Sequence, residues 1–148
     1  MSKEKAIVLQ FLRGNILATI STVNCKTLKP ESALIAFAEL DTLEIIFTTR
    51  KVSRKFVNLM ENNHVALVVG WNPDPKHWIT LQYEGDANAI SEEECSKYKK
   101  IFSMKKDTPC TEEFLKNPVM KFFKITPTWI GYSDFTGKKP NVIEIKDL

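Results

Sequence analysis

Residues 43–55 read LEIIFTTRKVSRK, and residues 56–69 continue as FVNLMENNHVALVV. Leu43 to Thr48 alternates and branches like a strand. Thr49, Arg50 and Lys51 come next, and Ser53 or a near neighbour can cap a helix in which Phe56, Val57 and Met60 face inward until Asn62-Asn63 ends it. Hydroxyls and up to four cations therefore gather where a strand ends and a helix begins. Orphan backbone N–H groups and the positive end of the helix dipole make such a place an anion site. The cations are on the wrong end for the helix itself. Arg54 and Lys55 each cost it about 0.3–1 kcal/mol at exposed first-turn positions. A bound phosphate reverses the sign, because each charge-assisted hydrogen bond contributes about 1.5–3 kcal/mol. A solvated basic turn is the plainer alternative for this segment taken by itself.

Working toward the N-terminus, Ser32–Leu40 is a second strand joined to Leu43–Thr48 through Asp41-Thr42, and Ile16–Thr22 a first, with Cys25–Pro30 as its turn. Connections this short make the strands antiparallel neighbours. Ahead of them, Ser2 caps a helix with Ile7, Val8, Phe11 and Leu12 on one face, stopped at Gly14-Asn15. Toward the C-terminus, His64–Trp71 is a nearly continuous apolar strand, expected to be buried on both faces. Asn72–Lys76 is a loop because two prolines exclude a ladder there. Trp78–Ile90 is a long strand with Gly85 placed for a bulge. Ser91-Glu92-Glu93-Glu94 reads as a capping box opening a helix to about Phe102. Thr111 starts a short helix ended by Asn117-Pro118. Val119–Thr126 and Trp129–Phe135 close the fold as a pair of strands around Pro127, and Val142–Ile145 adds an edge. The expected fold is mainly β with added helices: a six- to seven-stranded antiparallel barrel in a single domain spanning residues 1–148.

Composition narrows the function classes. With 21 basic and 18 acidic residues the net charge is +3, too mild to make nucleic acid or an anionic membrane the partner. No apolar run nears the ~20 residues of a membrane span and no leader opens the chain, so a cytoplasmic protein is expected. Cys25, Cys95 and Cys110 are odd in number and lack metal-ligand spacing, so they read as reduced thiols and no metal is expected. His64 and His77 read as a helix-end residue and a solvent-exposed loop residue, although the loop position could serve as acid or base. Glu92–Glu94 is capping charge, and Lys97–Lys106 a solvated basic face.

The pieces together, F-T-T-x-x-x-S-R-K with its following helix and strand, N-I-L-A-T-I-S-T, K-P-E-S-A-L-I, L-Q-Y-E-G-D-A and K-I-T-P-T-W-I-G-Y, resemble the FMN-binding split-barrel superfamily. These are the relatives of pyridoxamine 5′-phosphate oxidase, and the resemblance is nearest to the short general-stress-protein group. It runs from about Asn15 to Phe135. It implies a split barrel, a homodimer, and FMN at the subunit interface. Carried onto this chain, Ser53, Arg54 and Lys55 hold the phosphate, with Thr48 and Thr49 near the ribityl chain and flavin edge. Glu31, Ser32, Ala33 and Leu34 lie along the isoalloxazine ring. Thr80 and Gln82 approach from the neighbouring subunit, and Trp129 is a flavin neighbour. The function implied is an FMN-dependent oxidoreductase acting on a small-molecule substrate or electron donor. The oxidase proper carries an arginine in the stretch written here Glu31-Ser32-Ala33 and a basic C-terminal segment. This chain has neither, which disfavours vitamin B6 oxidation. Alternatives are the same fold holding haem or a deazaflavin, and a non-catalytic β-barrel binding module. Haem is disfavoured by the supply of only two histidines.

Overall fold

The computed structural model describes residues 1–72 and 74–148. Helix α1, Lys3–Arg13, starts where the Ser2 hydroxyl accepts the Lys5 N–H at 3.2 Å, and it buries Val8, Leu9 and Leu12. Ile7 and Phe11 pack partly buried against the same core. Then come β1 (Leu17–Val23), β2 (Pro30–Glu39), β3 (Ile45–Arg50), α2 (Arg54–Glu61), β4 (His64–Val69), β5 (Ile79–Ala89), α3 (Glu92–Ser103), α4 (Glu112–Lys116), β6 (Met120–Asp134) and β7 (Asn141–Ile145). Of the expected Asn72–Lys76 loop, Pro73 lies outside the described residues. Beyond it Asp74 caps a single 3-10 turn, Pro75–His77.

The strands form one antiparallel sheet in the order β3-β2-β1-β4-β5-β6-β7. Ile45–Arg50 also pairs with Met120–Ile125, which joins β3 to β6 and closes six strands into a barrel. Strand β7 adds to the far half of β6, opposite Ile130–Asp134. The fold is thus α+β, a closed six-stranded barrel with one extra strand and, among the described residues, four α-helices. Two apolar cores sit on opposite sides of its wall. Inside are Ile20, Phe37, Phe47, Leu81, Tyr83 and Phe123, while α3 and α4 cover an outer patch of Ala38, Ile46 and Phe122 with Tyr98, Phe102 and Leu115.

Four expectations need correction. The closing pair of strands is one strand, β6, which runs straight through Pro127. Proline is tolerated because the register slips there: Glu84 faces Trp129 and Gly85 faces Pro127, which leaves Thr128 as the extra residue of a bulge. Strand β4 is not buried on both faces within the chain. It alternates, with Val65, Leu67 and Val69 inside and His64, Ala66 and Val68 outside. Helix α2 is turned so that Asn58 and Leu59 are buried, whereas Val57 and Met60 are about half exposed. Phe56 does pack inward, edge-on to Phe123. Lastly, Ser91 precedes α3 without a side-chain cap bond, so the capping box does not form.

The barrel wall is incomplete on one side. The β2–β3 ladder covers only Phe37–Glu39 against Ile45–Phe47. Below it the strands part: residues 30–36 of β2 pair with β1 on one side only, and β3 runs on into α2. The wall is split there, and backbone donors and acceptors of β2 face the gap.

Candidate functional site

The gap between β2 and the β3–α2 junction is the candidate site. Ser53 is the N-cap of α2, and its hydroxyl accepts the Phe56 N–H at 3.1 Å. The Thr49 hydroxyl, 4% exposed, lies 2.8 Å from the same oxygen and ties the end of β3 to the cap. Thr48 points to the other side of β3 and donates to the Lys121 carbonyl at 3.2 Å. Arg54 is exposed, and its Nη1 donates to Glu31 Oε2 at 2.8 Å across the gap. Lys55 is half-buried, and burial followed by the nearby charge of Arg50 lowers its ammonium below the usual lysine range. The first turn of α2 holds no acidic residue, and its last residue is Glu61. The helix is therefore charged against its dipole at both ends.

Glu31 sits opposite Thr22, and its Oε1 accepts from Asn58 Nδ2 at 2.8 Å; the same amide donates to Thr22 Oγ1 at 3.0 Å. Asn58 is the residue sequence reasoning missed. Its signal was a polar side chain two positions after Phe56 and next to Leu59, legible only once the helix is turned by the Phe56–Leu59 pair. Ser32 faces outward with its Oγ 2.8 Å from Ser21 Oγ, Ala33 is half-buried, and Leu34 is 66% exposed.

The structure brings Glu31, Thr49, Ser53, Arg54 and Lys55 together, with Ser32, Ala33 and Leu34 continuing along β2, while Thr48 faces the other side of β3. Thr80, Gln82 and Trp129 lie apart. Leu34, Thr19, Val68 and Gln82 form one row across the sheet, and three strand spacings of about 4.8 Å put Gln82 roughly 14 Å from Leu34. Thr80 is opposite Ser133, further along β5. Trp129 donates from Nε1 to Glu144 at 2.7 Å, and its ring lies so close over Gly131 that a Cβ there would come within 2.4 Å of it. Within one protomer these three belong to the outer face.

A concavity of about 490 Å³ also lies on that outer face, between His64, Asp86, Ser21 and Pro30. His64 Nδ1 pairs there with Asp86 at 2.5 Å. Its depth reflects a floor of small side chains, Ser21 and Ala66, so the donor set at α2 marks the site better than the hollow does. Among the described residues no three His, Cys, Asp or Glu side chains converge as metal ligands.

Residues 5–134 match the sequence model of pyridoxamine 5′-phosphate oxidase, and the chain belongs to that family. No curated protein matches it. General stress protein 26 from Bacillus anthracis is similar at 22% identity and a TM-score of 0.71, over 95% of this chain and 98% of that one. A pyridoxamine 5′-phosphate oxidase-related, FMN-binding protein from Nostoc punctiforme is similar at 12% identity and a TM-score of 0.69, over 96% and 90%. A haem-binding protein from Mycobacterium smegmatis is similar at 8% identity and a TM-score of 0.80, over 99% of this chain and 59% of that one. At these identities the likeness is one of fold. No helix among the described residues is long and apolar enough to cross a membrane.

Proposed function

We propose that this chain is an FMN-binding flavoprotein that acts as a homodimer, and that Ser53, Arg54 and Lys55 hold the cofactor's phosphate. The observation that carries the reading is the reversed charge of α2: two cations in the first turn, none of the acids that would suit it, and a capping hydroxyl, all beside a split in the barrel wall. Glu31 apart, that corner offers cations and hydroxyls, side chains able to donate to a phosphate dianion. When bound, the flavin supplies hydride or electron transfer, and the chain's share is binding, orientation and electrostatics. The open flank of β2, residues 31–34, offers backbone groups that match the alternating donors and acceptors of a flavin's pyrimidine edge. A second copy is favoured by the outer face, where Leu17, Leu34 and Val68 are exposed at 42%, 66% and 50%. In such a dimer Gln82 and Trp129 reach the flavin of the other protomer. The substrate or electron donor is a small molecule, and the cytoplasm is the compartment proposed. Haem is the weaker occupant, since His64 is engaged by Asp86 and His77 by Asp74, both away from the split.

The test is the double variant Arg54→Ala, Lys55→Ala, titrated with FMN by flavin fluorescence. Loss of two charge-assisted contacts predicts an affinity at least about tenfold weaker, with the thermal melt preserved. Unchanged affinity would count squarely against the assignment. A haem spectrum in the purified protein would replace FMN by the alternative.

A further inference from the structure

We infer that Glu31 is a positioning residue for the phosphate: it fixes the Arg54 guanidinium in advance, with one edge anchored to the barrel and the other left open to the anion. The inference rests on the FMN reading above. A carboxylate beside a proposed anion site looks at first like a competitor, and the geometry decides between the two roles. Both oxygens of Glu31 are engaged, Oε1 by Asn58 and Oε2 by Arg54, each at 2.8 Å. Asn58 is 4% exposed and gives its side-chain nitrogen to Thr22 as well. The network thus starts at a rigid, dry end inside the barrel and finishes on a cation in water: the Glu31 side chain is 17% exposed and that of Arg54 74%.

A competitor would have to release Arg54 when the phosphate arrives. Glu31 cannot swing away without stripping a hydrogen bond from a buried amide, which is costly. Arg54 has no such need. Its contact to Glu31 uses Nη1 alone, and a guanidinium carries five N–H donors in a planar fork. Nη2 and Nε remain for a second anion while the first bond persists. Holding a long, flexible side chain in place before the ligand binds removes an ordering cost from the binding step.

The experiment uses the full chain and two probes, FMN and riboflavin, which differ by the phosphate alone. Flavin fluorescence titrations are run on the wild type, Glu31→Ala, Glu31→Asp and Glu31→Gln, with thermal melts alongside. Freeing one rotamer-rich side chain predicts FMN affinity lowered roughly 3- to 10-fold in Glu31→Ala, with riboflavin affinity lowered by less, so that the ratio of FMN to riboflavin affinity falls. Glu31→Asp keeps the charge but withdraws it by one methylene, so it shows the same loss even if the alanine variant folds poorly. Glu31→Gln keeps one carbonyl acceptor for Arg54 but turns its NH2 toward the Asn58 donor, so its FMN affinity falls between those of the wild type and Glu31→Ala. An unchanged ratio of FMN to riboflavin affinity in Glu31→Ala and Glu31→Asp overturns the inference. So does tighter FMN binding by Glu31→Gln, which would identify Glu31 as the competitor. A wild type that binds riboflavin and FMN equally, or neither, overturns the phosphate site itself.

Discussion

The ammonium of Lys105 lies 2.5 Å from Glu39 Oε2 and 4.0 Å from the centre of the Phe37 ring, with its side chain 4% exposed. It also donates to the Leu12 carbonyl at 3.1 Å, so a residue from the loop after α3 ties the end of α1 to the end of β2. Burial lowers the lysine below its usual range, and Glu39 opposes that shift without cancelling it. Removing one member of such a pair strands the other. Lys105→Met is expected to destabilise the chain by about 3–5 kcal/mol in urea unfolding. Adding Glu39→Gln should recover part of that loss, and equal losses in single and double variants would show that the charge pairing is unimportant.

Gly85 is required by contact. A Cβ at this position would sit 2.5 Å from the Thr126 carbonyl oxygen and 2.8 Å from Ile125 Cγ2, both on the neighbouring strand at its bulge. Neither backbone nor a buried core methyl can retreat cheaply. Gly85→Ala is expected to cost roughly 1–3 kcal/mol, read as a lowered urea midpoint. A midpoint like that of the wild type would mean that the bulge shifts freely.

Tyr83 is fully buried, and its one hydroxyl proton is shared between two carbonyls, Leu43 at 2.9 Å and, more weakly, Ile125 at 3.2 Å. Burial, and secondarily the charge of Glu44, push the phenol well above its ordinary value, so it stays a donor. Leu43 itself adopts a φ of +69°, which closes the β2–β3 turn. Tyr83→Phe removes that shared proton from the Leu43 carbonyl, and a loss of about 1–3 kcal/mol is expected. A chemical-denaturation curve superimposable on the wild type's would remove the hydroxyl from that role.

The lowered Lys55 ammonium gives the proposed FMN binding a pH dependence of definite sign. A phosphate dianion favours the charged form, so the bound lysine titrates higher than the free one and binding takes up a proton. Affinity should fall as pH rises through the lowered value, toward the ordinary 10.5. Lys55→Arg is expected to flatten the profile. If the arginine variant shows the same decline as the wild type, the titrating group lies elsewhere.

Much of this architecture was readable from residue order. Short turns forced β1, β2 and β3 to be antiparallel neighbours, Gly85 announced the bulge, and the basic helix start marked the corner where Thr49, Ser53, Arg54 and Lys55 meet. What escaped depended on facing. HVALVV looks uniformly apolar, yet its alternate residues point to opposite sides of the wall, and composition says nothing of which side is covered. Val57 and Met60 seemed natural core residues, but the end of the barrel is closed by the Asn58 amide because Glu31 and Thr22 there need a donor. Pro127 argued for a break between two strands. The slip in register made room for it instead.

Because β6 alone bridges β3 and β5, the barrel cannot close while the ribosome is still short of residue 120. Even once β5 has emerged, the strands available form at most an open five-stranded sheet with a bare flank on each outermost strand. Some seventy residues separate Arg50 from Met120, which at roughly 5–20 residues per second is a delay of several seconds. Throughout it the β-prone run Ile45–Thr49 is available to another chain, guarded only by the cations that follow it. Slow translation before β6 is thus a point of aggregation risk set by topology rather than by stability.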